Sequence, residues 1–207
     1  MPRGHSLWNR VVLKTEVSVR TAKSSFPTLL FNKFSIILVC VASLSVIISK
    51  ICDPDDQIDW PVGWKSSVLS SPIDTQGKPI GSRQRAILED KDGKQVAAME
   101  ITRVTLNEHI VNIENVIVIM RKALQQHYSG LGLLATCSRP TSVQVGDLSG
   151  LQTTCLMMAS GKKVLKHTLV TAVGGQASYS LEYAAVPEVF SDHLDEFSSL
   201  LRSLNSD

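Results

Sequence analysis

The chain has 207 residues, of which 43% are hydrophobic, 19% charged and 5% aromatic, a globular composition that excludes a disordered chain. The net charge of +2 hides a split: residues 1–52 carry +6 and residues 53–207 carry −4. A mildly acidic domain with few aromatic side chains excludes the basic and base-stacking modules that bind nucleic acid.

Residues 1–33 mix Ser, Thr, Lys and Arg without a sustained period and read as a disordered tail. Phe34–Ser49 contains no charge, and with Lys50 and Ile51 the apolar run covers roughly 27 Å as a helix, enough for a bilayer core. Six basic residues precede it, and Asp53, Asp55, Asp56 and Asp59 follow Lys50. The positive-inside rule therefore predicts a cytoplasmic N-terminus and an exported, periplasmic domain in a single-pass inner-membrane protein. A cleaved secretory signal is the alternative and delivers the domain to the same side, although no A-x-A-like site is present. The predicted organisation is a tail over 1–33, a transmembrane anchor or signal over 34–51, a linker over 52–59 and an α+β domain over 60–207.

The domain opens on Trp60-Pro61-Val62-Gly63-Trp64. Trp60 and Trp64 read as a turn packed on the core, or as aromatic anchors at a membrane surface. Lys65–Ser70 is a predicted strand, and Ser71–Gly81 a loop. Arg83–Asp90 and Lys94–Leu106 are β-rich runs joined at Asp92-Gly93, which predicts a two-residue hairpin turn. Counting outward from it places Arg85 opposite Glu100, as a cross-strand ion pair. Both faces of the second run are apolar, so it reads as a central strand covered on both sides. Arg83, Arg85, Glu100 and Arg103 are either paired across strands or part of a pocket for an anion, although Arg103 alternates away from Glu100.

Ile113, Ile117, Met120, Leu124 and Tyr128 form one stripe of an amphipathic helix, with Asn107 or Asn112 to cap it and Gly130 or Gly132 to end it. Leu133–Ser138 and Val143–Val145 follow. Strands over Leu151–Ala159, Lys162–Val173 and Gln176–Ala185 then form a meander with turns at Ser160-Gly161 and Gly174-Gly175. The second of these turns sets His167 opposite Glu182, a candidate pH-responsive pair, since a carboxylate favours the charged imidazole. Pro187 is predicted to open a last helix with a stripe of Phe190, Leu194, Phe197, Leu201 and Leu204. The whole is a largely antiparallel sheet of about six or seven strands flanked by two amphipathic helices.

Cys137 and Cys155 are a disulfide candidate in an oxidising compartment, or two buried thiols. There is no C-x-x-C and no His pair at ligand spacing, so neither a metal nor a cofactor is expected. None of the phosphate-binding, dinucleotide-binding, nucleophile-elbow or zinc-protease motifs occurs, and His109, His127, His167 and His193 are scattered.

Ile58–Trp64, Gly81–Ala86, Ala98–Arg103, Cys137, Cys155 and Tyr179–Tyr183, in that order, resemble a bacterial domain-of-unknown-function family, number 4946, which is similar to the PsbP-like superfamily with its Mog and DcrB types. The resemblance covers about residues 57–205. It implies an antiparallel sheet with flanking helices and an exported protein, and it transfers no catalytic residue. The function expected is a membrane-tethered, non-catalytic binding or assembly module meeting another envelope protein. PsbP-like relatives that act as accessory subunits suggest this by analogy. A small-ligand or lipid-binding envelope domain is the alternative, and an unrecognised hydrolase a further one.

Overall fold

The computed structural model describes residues 58–106 and 111–204. The tail, the apolar run Phe34–Ile51 and most of the linker lie outside them; among the described residues no helix is long and apolar enough to cross a membrane. One compact unit begins at Ile58.

Eight strands form one antiparallel sheet: β1 (Lys65–Val68), β2 (Gly81–Glu89), β3 (Gln95–Thr105), β4 (Leu134–Cys137), β5 (Thr141–Val145), β6 (Leu148–Ala159), β7 (Lys162–Val173) and β8 (Ala177–Ala185). Helix α1 (Ile113–Gly130) follows β3, and helix α2 (Leu194–Ser203) ends the fold. The order is β1-β2-β3-β8-β7-β6-β4, with β5 pairing β6 beside β4. The strand count exceeds the expected six or seven, and β6 starts earlier than expected, at Leu148. Gly146-Asp147 is a tight turn with Gly146 at φ 56°, so pairing already begins at Val145 and Leu148.

The β2–β3 turn differs from the two-residue loop that Asp92-Gly93 suggests. Asp90 and Lys94 flank a three-residue loop, in which the Gly93 N–H donates to the Asp90 carbonyl (3.0 Å) and Gly93 sits at φ 74°. The Asp90 carboxylate accepts from the Asp92 and Lys94 N–H groups, both at 2.9 Å, which stabilises this turn over the tighter one. The pairing then slips at Leu88/Glu89, leaving Val96 as the extra residue of a bulge. Loop and bulge cancel, and Arg85 ends opposite Glu100 after all.

Alternation along the strands sends the two helices to opposite faces. On one face α1 contacts β4, β6 and β7, burying Ile117 and Tyr128. Asn112 caps α1 by accepting from the Asn115 N–H at 2.9 Å. Arg121 and Gln125, off the apolar stripe, reach β4 and donate to the Ser138 and Ala135 carbonyls, blunting that sheet edge. On the other face α2 closes the main core of Met99, Ile101, Leu181, Tyr183, Phe197 and Leu201. The Tyr183 ring stacks between Phe190 and Phe197, and its hydroxyl donates to the Phe190 carbonyl at 2.9 Å.

Three further expectations are corrected. Pro187 opens a series of turns rather than a helix, and α2 starts only at Leu194, so Phe190 enters the core from a turn while Leu194 is exposed. Leu200 takes the core place that the stripe gave to Leu194. The strand covered on both faces is β7, buried from His167 to Ala172, because α1 packs on one side and the main core, which α2 joins, on the other; β3 is fully buried on one face only.

Gly81 pairs with Val104, and a Cβ there would stand 1.8 Å from the Arg103 carbonyl oxygen. Gly130 ends α1 with open space around it. Gly81→Ala should therefore destabilise by at least the upper end of the ~1–3 kcal/mol of an overpacked site, whereas Gly130→Ala should be neutral or stabilise by up to ~1 kcal/mol, both read from urea melts.

Candidate functional site

The candidate site is a row of polar side chains on the α1 face of the sheet, running from β2 across β3 and β8 to β7 and up to the helix. Arg83 and Arg85 donate to the two oxygens of Glu100, Arg85 through Nε at 2.9 Å and Nη2 at 2.7 Å. Glu100 pairs directly with Glu182 on β8, which brings two carboxylates side by side. Glu182 reaches the His167 Nε2 at 3.0 Å, and His167 Nδ1 lies 3.1 Å from the Tyr128 hydroxyl on α1.

The β7–β8 register differs from expectation. Gly174 pairs with Ala177 around a Gly175-Gln176 loop, so His167 stands opposite Ala184 and Glu182 opposite Leu169. The slip is two residues, which preserves the face of every side chain. His167 and Glu182 are therefore diagonal neighbours on one face and still meet.

Electrostatics shift two members of this row, Glu182 and Tyr128. Burial alone would raise the Glu182 carboxyl, but its hydrogen bond to His167, the charge on that imidazole and the guanidinium groups of Arg83 and Arg85 outweigh it and hold it below the ordinary range. Ionised Glu182 accepts from Nε2–H; the Tyr128 hydroxyl meets Nδ1, donating to it when the imidazole is neutral and accepting from it when the imidazole is charged. The Tyr128 phenol is pushed above its ordinary range, first by burial and then by the Glu182 charge. Carboxylate, imidazole and hydroxyl stand in line as they do in hydrolytic triads. Here, however, the hydroxyl is a buried phenol held in its protonated form, so the line pins helix to sheet instead of presenting a nucleophile.

The other sequence-derived residues separate from this row. Cys137 and Cys155 are bonded, joining β4 to β6, with Cys155 directly opposite His167. Trp64 is buried and donates to Glu196 at 2.8 Å, and His193 contacts the same carboxylate at 3.0 Å. Trp60 packs on the main core, and Val62 between the two indoles is fully exposed. Arg103 falls on the α2 face, away from Glu100, so the four charges do not line one pocket. Among the described residues, no group of three or more His, Cys, Asp or Glu is placed to hold a metal. Periodicity places Tyr128 in the buried stripe of α1, as the structure does, but not its hydroxyl in this row. The signal was its hydroxyl, which needs a partner when the ring is buried.

Because the Glu182 carboxyl is depressed in the fold, its stabilising contribution is complete above the unfolded-state value and disappears as pH falls through the folded one. Acid titration of stability between pH 6 and 2 should show this loss, and Glu182→Gln should flatten that part of the curve. An acid limb identical in the two proteins would contradict the assignment.

Several solved structures align with the chain. The solution structure of cyanobacterial PsbP (CyanoP) from Synechocystis sp. PCC 6803 aligns at 7% identity and a TM-score of 0.49, over 70% of this chain and 82% of that one. LpqN of Mycobacterium tuberculosis, described as involved in cell envelope biogenesis, aligns at 14% identity and 0.41, over 74% and 85%. PA94 of Pseudomonas aeruginosa, a protein of unknown function and putative regulator by its description, aligns at 12% and 0.40, over 74% and 88%. No curated protein matches the chain. The model of one family, Domain of unknown function (DUF4946), matches residues 55–205, most of the sequence, and the chain belongs to that family.

Proposed function

We propose that the protein is a non-catalytic binding or assembly module of the bacterial cell envelope. Phe34–Ile51 holds it in the inner membrane, and the folded domain faces the periplasm, where it meets another envelope protein. The Cys137–Cys155 bond carries the address, since disulfides persist in oxidising compartments and not in the cytosol. The six basic residues ahead of the apolar run support the same orientation. Two of the histidines support a non-catalytic role: His167 is closed between Tyr128 and Glu182, and His193 rests on the carboxylate that Trp64 also binds.

The small-ligand reading has less support. A cleft of about 390 Å³ lies between the start of α1 and the β5–β6 hairpin, lined by Ile113, Val143 and Leu151 together with Ser142, Gln144 and Ser149. It is open to solvent and of mixed polarity, whereas lipid and cofactor sites enclose most of the ligand in apolar walls.

Fusion of alkaline phosphatase to the C-terminus should give active enzyme, and the full chain should stay in the membrane fraction after a high-salt wash. Non-reduced protein should show Cys137 and Cys155 blocked to maleimide. Cross-linking in intact membranes should then attach one reproducible envelope protein. A salt-soluble cytosolic product with both thiols free would overturn the address. A purified domain that carries a lipid and captures no protein would favour the small-ligand reading.

A further inference from the structure

The sheet has two ends, and the strand registers assign each loop to one of them. β1 begins at Lys65 opposite Ile87, towards the Glu89 end of β2. At that same end Ala97 of β3 meets Ala185 of β8, Ala185 meets Lys166 of β7, Lys162 of β7 meets Ala159 of β6, and Met158 of β6 meets Leu134 of β4. The chain therefore runs into β1 at the end that carries the β6–β7 hairpin tip and the start of β4. Six residues, 52–57, separate the apolar run that closes at Ile51 from Ile58, where the fold begins. Fully extended they reach roughly 20 Å. We propose that the β4–β6–β7 corner of this end docks on an anionic leaflet of the bilayer. Resting on the membrane anchor proposed above, this contact gives the domain a second, weaker hold on lipid and a fixed orientation.

The corner joins apolar and basic side chains on one face. Leu134 pairs with Met158, Met158 with Lys163, and Leu156 with Lys166, and alternation puts all five on the α2 face. Helix α2 packs over β5 and the main core, so Leu134 is left 63% exposed, Thr136 is exposed, and Leu156 and Met158 are only partly covered. Lys162 and Lys163 are exposed at the hairpin tip, and the Lys166 ammonium lies 4.9 Å from the centre of the buried Phe190 ring. Among the described residues none of these three lysines is in an ion pair, and β4, β6 and β7 contain no acid.

Lysines bordering exposed Leu and Met side chains suit an anionic lipid surface: the ammonium groups meet headgroup phosphates while the stems and the apolar side chains enter the boundary. The rest of this end has no such excess of positive charge. Lys65 pairs with Glu89, Lys91 and Lys94 stand with Asp90 and Asp92 in the β2–β3 loop, and Glu188 and Asp192 follow β8. Residues 53–207 carry −4 in total, so a leaflet that attracts the corner repels the remainder, which sets the tilt of the domain. Lipid is favoured over an acidic protein as the occupant because the short linker keeps lipid within reach at all times, at high effective concentration.

Nuclear magnetic resonance of the full-length chain in nanodiscs with gadolinium-chelating headgroups tests the contact. In discs of phosphatidylcholine with phosphatidylglycerol, amides of Leu134–Thr136 and Met157–Val164 should broaden, while Gly146 and Gly174 at the opposite end stay sharp. In phosphatidylcholine alone, or at high salt, the broadening should fade. Lys162→Gln and Lys163→Gln should each lower the ratio of docked to free domain ~5-fold, and Leu134→Ser should lower it with no change of charge. Retention of the chain in the disc through gel filtration at high salt reads the anchor separately. Retention without broadening at the corner, broadening indifferent to phosphatidylglycerol, or broadening unchanged when both lysines are replaced would overturn the docking and leave the anchor standing. A chain lost from the disc would overturn both. Cross-linking in intact membranes that joins Lys162 or Lys163 to an acidic protein, with no broadening in the discs, would assign the corner to that protein and overturn the lipid contact.

Discussion

The fold depends on the strict alternation of one strand. Along β8, Ala177, Tyr179, Leu181, Tyr183 and Ala185 are buried while Ser178, Ser180, Glu182 and Ala184 are not. This strand lies between β3 and β7 and joins the two otherwise local halves of the sheet, the β1–β3 meander and the β5–β7 meander. Every other residue of β8 enters the core beneath α2, and the residues between carry the polar row on the other face. A one-residue slip of β8 would put Glu182 under Phe197 and Tyr183 among the arginines. The two faces therefore police the same register, one through burial and the other through charge.

The polar row is consistent with this role because it is self-neutralising. Two guanidinium groups face two carboxylates, and the imidazole and phenol complete the second carboxylate's partners. Glu100 and Glu182 side by side would repel if left alone. They are tolerated because each has donors on its far side, Arg83 and Arg85 for one and His167 for the other. Removing His167, or both arginines together, leaves a partly buried carboxylate without its hydrogen-bond donor, which is where breaking a pair becomes destabilising. The row thus gives more to the choice of register than to net stability.

What was legible in the sequence was local. Ser160-Gly161 marks its turn because both residues take positive φ, 49° and 76°, as a two-residue hairpin loop requires. The α1 stripe and the α+β class followed from periodicity alone. The Arg85–Glu100 pairing came out as expected although the loop had three residues, because the Val96 bulge restored the count; a bulge leaves no signature in a single sequence. The His167–Glu182 contact survived a two-residue error because parity, not register, decides which face a side chain takes. The Glu100–Glu182 contact was not legible, since it arises from the β3–β8 pairing, and no turn joins those strands. The place of the Tyr128 hydroxyl was hidden for a related reason: its partner lies 39 residues away.

The covering of the sheet is asymmetric, and this bears on how a partner could engage it. On the α1 face, among the described residues, the helix packs chiefly over β4, β6 and β7 rather than over the part built from β2, β3 and β8. Here its centre holds Arg83, Arg85, Glu100 and Glu182, whose side chains remain 12–34% exposed. Salt-bridged side chains lined up in this way keep the face wetted without a net charge to attract or repel at long range. A partner that covered it would strip water from Glu182 and Arg83, and desolvation of a charge is offset only by new hydrogen bonds to it. Any partner on this face would therefore need polar complementarity at short range, so geometry rather than greasiness or bulk charge would select it.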